Sequence, residues 1–225
     1  MRLPEPIDEK AGQRAAATWA VVLLVVLGLL SAVVNARWLA ASDSRLLTIA
    51  QTPATSPLDV VMVVTSLLGS VEVTSGVMAA LVAATLLQRR RLSIDVLAPV
   101  AFLLVATVIE VAGKLIIHQP SPPAVLMRGP RVGVGLSTQY SFPSGHMVRA
   151  TFVYGLVALR LVRRFRSVWW LWLCVLLVWT IGLSRVYLAN HWPTDVAGGI
   201  LLGGAALGLS LAFAARASLG EGIGT

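Results

Sequence analysis

The sequence predicts an all-α polytopic membrane protein, six transmembrane helices in one bundle, and three observations carry that reading. Of 225 residues, 57% are hydrophobic and only 12% are charged, which is not the composition of an ordinary soluble domain. Uncharged runs are long enough to cross a hydrocarbon core, which takes about 20 apolar residues as a helix. Ala15 to Ala36 is the clearest, with no charge at all. The remaining charge sits in short clusters between apolar runs, as membrane topology places it.

Six spans follow in order, at roughly 16–40, 68–88, 93–117, 144–162, 167–187 and 194–215. The first reads as a retained helix, because a secretory signal has an apolar core of only about 7–15 residues. A short apolar segment near 56–67 lies at the interface or packs as a half-helix before the second span. No repeat and no linker divides the chain, so residues 1–225 are expected to form one domain, with 1–15 as a cytoplasmic tail.

Arginine placement orients the bundle. Arg2, Lys10 and Arg14 precede the first span, and Arg89, Arg90 and Arg91 follow the second. Arg160, Arg163, Arg164 and Arg166 follow the fourth, and Arg216 follows the last. All fall on one side of a six-helix arrangement, which the positive-inside bias makes cytoplasmic. In the cell (plasma) membrane both termini are then expected inside, with the 118–142 loop and the 184–193 turn outside. The net charge of +8 is not grouped as one basic surface, so no nucleic-acid partner is expected. Cys174 is the only cysteine, which rules out an intrachain disulfide. Trp169, Trp170 and Trp172 read as interfacial anchors or packing.

Three polar clusters fall on the outer side: Lys114 with its neighbours, "SFPSGHMVRA" at 141–150, and "SRVYLANHWPTDVAGG" at 184–199. Pro143-Ser144-Gly145-His146 reads as a loop turning into a helix. A Ser144 N-cap would by itself account for the serine. The same turn presents free N–H groups to an anion, and glycine lets a phosphate approach the backbone closely. His191 and Asp195 are four apart, with Pro193 starting the sixth span. A carboxylate one turn from an imidazole holds its tautomer and raises its nucleophilicity. Arg185 adds a planar, permanent charge suited to phosphate. A metal site from His118, His146, His191 and Asp195 is the other chemical option. Lys114 and Arg185 argue against it and suit an anionic substrate. Glu110, one turn before Lys114, reads as its ion-pair partner, and Glu72 as marking a helix start.

These residues resemble the type 2 phosphatidic acid phosphatase superfamily, which also includes vanadium-dependent haloperoxidases. Its signature is KxxxxxxRP, PSGH and SRxxxxxHxxxD. The second block is complete at Pro143–His146, and the third at Ser184-Arg185, His191 and Asp195. The first departs: Lys114 and Pro122 are correctly spaced, but Ser121 holds the arginine position, and Gln119 stands where many members carry another arginine. Arg149, Arg128 and Arg131 are candidates to replace the missing charge, Arg149 sharing a helix face with His146.

The resemblance implies a metal-independent hydrolase without a cofactor, its site at the extracytoplasmic helix ends around the 118–142 loop. His191 would attack phosphorus, oriented by Asp195, and His146 would protonate the leaving oxygen. Lys114, Arg185, Ser144 and the Gly145 N–H would hold the phosphate oxygens. The implied partner is a lipid phosphate or diphosphate in the bilayer, of the polyprenyl (undecaprenyl) diphosphate, phosphatidylglycerol phosphate or phosphatidic acid type. Two other readings stay open: a lipid phosphotransferase using the same histidine, and a degenerate lipid-phosphate binding or transport protein.

Overall fold

The computed structural model describes residues 9–90, 93–130 and 139–221. Its α-helices are α1 (Glu9–Asn35), α2 (Ala40–Gln51), α3 (Ser56–Leu67), α4 (Val71–Arg89), α5 (Ile94–Ile116), α6 (Gly145–Phe165), α7 (Trp169–Tyr187) and α8 (Pro193–Glu221). Among the described residues there is no strand, only a single bridge pairing Pro120 with Tyr140.

Local signals set several boundaries. Thr55 caps α3, its hydroxyl accepting from the Leu58 N–H at 3.4 Å, with Pro57 in the first turn. Ser70 caps α4 through Val73 N–H at 3.3 Å, and Arg90 ends that helix with φ of 53°. Both serve donors that a helix start leaves orphaned.

The first expected span, 16–40, proves to be α1 followed by a break. Arg37 turns the chain with φ of 60°, and α2 begins three residues later. α2 was not anticipated, because "AASDSRLLTIAQ" is too polar to read as a span. Tertiary packing explains it: Asp43 and Leu47, one turn apart, are both buried while their neighbours face outward. Segment 56–67 is the short apolar helix α3.

Among the described residues, five helices are long and apolar enough to cross a membrane: Lys10–Asn35, Val71–Arg89, Val96–Ile116, Trp169–Tyr187 and Pro193–Arg216. The expected fourth span, α6, falls outside that set. Its 21 residues include His146, Arg149, Arg160, Arg163 and Arg164. α6 packs against α4, α5, α7 and α8, so protein rather than lipid covers it. Met147, Val148, Phe152 and Val153 are fully buried there. Arg160 reaches sideways, donating to the Leu81 carbonyl and the Thr85 hydroxyl on α4. The outer helices instead expose large apolar side chains, Trp19 at 66% and Trp169 at 72%. Such exposure is unfavourable in water and natural in hydrocarbon.

α6 and α8 cross in close contact. A Cβ at Gly199 would lie 2.5 Å from the Ser144 carbonyl oxygen and 2.6 Å from Met147 Cβ. One at Gly203 would lie 2.5 Å from the Val148 carbonyl oxygen. Small residues four apart let two membrane helices touch backbone to backbone, which brings the start of α6 against the start of α8.

Candidate active site

The α6 start and the α8 start meet directly: the Ser144 N–H donates to the Asp195 carbonyl at 3.0 Å. Ser144 occupies the N-cap position, but its side chain caps nothing. Its hydroxyl is fully buried and finds no hydrogen-bond partner among the described residues. Capping therefore does not explain this serine. His146 Nε2, in the next turn, is likewise buried without a partner there. Buried polar atoms are almost always satisfied, so two such atoms in one turn make this a candidate place for a ligand; Ser93 Oγ and Thr151 Oγ1 are also buried without a partner among the described residues.

His191 Nδ1 lies 3.2 Å from Asp195 Oδ2, and the Trp192 N–H donates to the same oxygen at 2.9 Å. Asp195 is 0% exposed. A proton on Nδ1, shared with that buried carboxylate, would place the ring's lone pair on Nε2. Ala189, with φ of 51°, makes the turn that delivers His191. The Arg185 carbonyl accepts from both Asn190 N–H and His191 N–H.

Arg185 is buried, and its Nη1 donates to Ser66 Oγ at 2.7 Å. Ser66 ends α3 and is itself inaccessible. Lys114, Arg149, Arg185 and His191 all lie within charge range of His146. The expected residues thus converge, from α5, α6, α7 and α8, at one level.

Glu110 does more than pair with Lys114. Its Oε1 lies 2.5 Å from Lys114 Nζ and its Oε2 lies 3.6 Å from Arg149 Nη1, and the residue is only 4% exposed. The carboxylate rests on Gly145, where an added Cβ would come within 2.5 Å of Oε1. A buried carboxylate needs such compensation, so Lys114–Glu110–Arg149 is one chain beneath the Gly145 turn.

The other replacement candidates fare differently. Arg128 forks onto Asp59, Nε to Oδ1 at 2.7 Å and Nη2 to Oδ2 at 3.0 Å. Tyr187 donates to the same Oδ1 at 2.6 Å. Arg128 is thereby directed at α3 rather than at His146. Arg131 lies outside the described residues. His118 neither joins the cluster nor dangles: its N–H donates to Asn35 Oδ1 at 3.0 Å, and its ring meets Tyr140 edge-on. Gln119 is buried, binding Asp43 and Thr194 rather than facing outward.

The Asp59 latch holds the 124–128 turn, since Gln51 also donates to the Leu126 and Tyr187 carbonyls. Hydrogen bonds from Arg128 keep the Asp59 carboxyl below its ordinary 3.8. A folded value below the unfolded one stabilises at pH above 3.8 and is lost as pH falls through the folded value. Limited proteolysis of residues 124–130 should therefore accelerate on acidification, and Asp59→Asn should show that faster cleavage already at neutral pH. Equal cleavage of variant and wild type would remove the latch.

Ser66, Asp43 and Gln119 are the polar partners that motif spacing did not indicate. Each lies far in sequence from the residue it holds, and burial of a polar side chain is their only signal.

Comparison with known proteins places this arrangement. Phosphatidylglycerophosphatase B of Bacillus subtilis is 39% identical over 72 residues, 29% of this chain and 35% of that protein. Undecaprenyl-diphosphatase of Sulfolobus acidocaldarius is 40% identical over 67 residues, 29% of this chain and 30% of that protein. Bacitracin transport permease protein BcrC of Bacillus licheniformis is 30% identical over 98 residues, 43% and 45% of the two chains. Each match spans less than half of the relative's length. The crystal structure of a transmembrane PAP2 type phosphatidylglycerolphosphate phosphatase from Bacillus subtilis shares the fold, with a TM-score of 0.71 and 24% identity. That likeness covers 91% of this chain and 96% of the other. The fold and the apolar helices make this an integral membrane protein. A family model for the PAP2 superfamily matches residues 95–218, more than half of the chain and every motif residue from Lys114 to Asp195, and the chain belongs to that superfamily.

Proposed function

We propose that the chain is a metal-independent membrane lipid phosphatase working through a phosphohistidine. The observation that carries this is the buried, unpartnered pair of Ser144 Oγ and His146 Nε2 beside the His191–Asp195 couple. His191 Nε2 attacks phosphorus, and the bond from phosphorus to the lipid oxygen breaks. His146 supplies the proton that the leaving oxygen takes up. It then takes a proton from water, whose oxygen attacks phosphorus, breaks the P–N bond and frees His191. Lys114, Arg185, Ser144 Oγ and the Gly145 N–H bind the phosphoryl oxygens, the help that phosphoryl transfer most needs.

The substrate is a lipid phosphate or diphosphate, the class named by relatives that are a phosphatidylglycerophosphatase and an undecaprenyl-diphosphatase. Six spans, α6 among them, put the arginine clusters at one face and the site at the other. On that reading the site faces outward from the plasma membrane. Purified protein in detergent with a chelator present should release phosphate from at least one of phosphatidylglycerol phosphate, phosphatidic acid and a polyprenyl diphosphate. Silence across that panel from well-folded protein would sink the proposal.

Arg149 serves as the replacement cation, acting at the floor of the site through Glu110. Arg149→Ala leaves Glu110 with Lys114 alone, and breaking a buried pair costs about 3–5 kcal/mol. Lower substrate affinity together with a lower melting temperature is expected. Unchanged affinity and rate would exclude Arg149 from the site.

A further inference from the structure

Asp43 belongs to α2, outside the stretch matched by the family model, yet it lies against the catalytic helix. Its Oδ1 accepts from the Thr194 N–H at 3.0 Å, and its Oδ2 accepts from Thr194 Oγ1 at 2.7 Å and from Gln119 Nε2 at 3.2 Å. Gln119 Nε2 also reaches Thr194 Oγ1 at 2.8 Å. Asp43 is 3% exposed and Gln119 6%. Thr194 is in the first turn of α8, where backbone donors lack intrahelical partners and the dipole favours a carboxylate. Asp43 is thus a cap supplied by a different helix.

The next residue after Thr194 is Asp195, which holds the His191 ring. The Gln119 carbonyl meanwhile accepts from the Ser141 N–H at 2.9 Å and from Ser141 Oγ at 3.3 Å. One carboxylate and one amide therefore join α2, the segment after α5, the approach to α6 and the start of α8. The approach to α6 and the start of α8 lead directly into Ser144, Gly145, His146 and Asp195. Rotation of the first turn of α8 would move His191 relative to the Ser144 turn, and Asp43 with Gln119 blocks that rotation.

We propose that Asp43 is a positioning residue which, with Gln119, holds the first turn of α8 so that His191 faces the phosphate site. This rests on the reading of His191 as the nucleophile. Burial raises the Asp43 carboxyl above its ordinary range, opposed chiefly by the bonds from Thr194. A group held against its own desolvation is one the fold invests in.

The test measures phosphate release by full-length Asp43→Ala, Asp43→Asn and Thr194→Val in detergent, using the panel lipid that wild type hydrolyses. A misplacement of about 1 Å costs up to about 100-fold in rate. Asp43→Ala should therefore lower kcat about 10- to 100-fold per folded molecule, with KM changed less than about twofold. Asp43→Asn should recover most of the rate, because its amide oxygen still accepts from the Thr194 N–H. Thr194→Val, which loses only the hydroxyl, should lie between wild type and Asp43→Ala and covers the case in which Asp43→Ala fails to fold. If kcat per folded molecule is unchanged in the variants while His191→Ala is inactive, the positioning role is wrong and the phosphatase reading stands. If His191→Ala is as active as wild type, the nucleophile assignment fails first.

Discussion

Replacing His191 with alanine is expected to abolish phosphate release, by about four orders of magnitude or more. The group removed would form the bond to phosphorus, and no neighbour takes its place. Asp195 is wholly buried, with Oδ2 turned to the His191 ring and the Trp192 N–H. His146 sits across the site in the first turn of α6. Lys114, Arg185 and the Gly145 N–H would still bind the substrate, so affinity for inorganic phosphate should change far less than the rate. His146→Ala should differ in kind: attack by His191 is slowed by loss of the leaving-group proton but not abolished, and the phosphorylated enzyme should persist because water is not activated. Labelling with a lipid carrying radioactive phosphate, quenched in alkaline denaturant because a P–N bond is lost in acid and survives in base, separates the two. Label retained by His146→Ala and absent from His191→Ala fits the proposed sequence, whereas turnover by His191→Ala would end it.

Gly199→Ala carries the second large effect, and it acts through the fold. The new methyl would sit 2.5 Å from the Ser144 carbonyl oxygen and 2.6 Å from Met147 Cβ. The first of these is backbone, so α6 and α8 must separate. Overpacking of this kind costs about 1–3 kcal/mol, sometimes more. The displacement falls on Ser144, so the site opens as the helices part. Activity should drop by about 100-fold along with the melting temperature. Gly28→Ala on α1 is the control, since nothing lies within 4 Å of its added Cβ. There alanine should be neutral or slightly stabilising, as in any helix interior. Equal behaviour of the two variants in a thermal melt would mean that the α6–α8 contact is looser than drawn.

Most spans were legible because hydrocarbon leaves few alternatives: backbone groups must bond within the segment, and side chains must be apolar. α4, α5 and α7 follow that rule within about three residues of where the apolar runs put them, whereas α1 begins and ends earlier than its expected span and α8 runs on past its own. α6 was legible only by its place between motifs, because its arginines mask its helix. Its partners are protein groups such as Leu81 O, Thr85 and Glu110, which remove the need for apolar composition. α2 was not legible at all. Its twelve residues have the polarity of a loop, and it is helical where Asp43 and Leu47 find a covered surface.

The candidate site divides in the same way. Pro143–His146 and the Arg185, His191, Asp195 series stood out through their resemblance to the superfamily's second and third blocks, and the fold brings the two helix starts that carry them together. Which polar residues support them could not be read. Arg128 had the right charge in the right loop, yet Asp59 on α3 claims it. Ser144 had the right identity for a cap, yet its hydroxyl caps nothing and stays buried. Gln119, noted for the arginine it lacks, holds Asp43 and Thr194. Local order therefore determined most of the apolar helices and the motif residues whose resemblance names the class of chemistry. Partner choice among polar groups 69 or more residues apart rested on how the helices pack, because a buried polar group is rarely left without a mate. Packing also left the Ser144 hydroxyl and His146 Nε2 without one among the described residues.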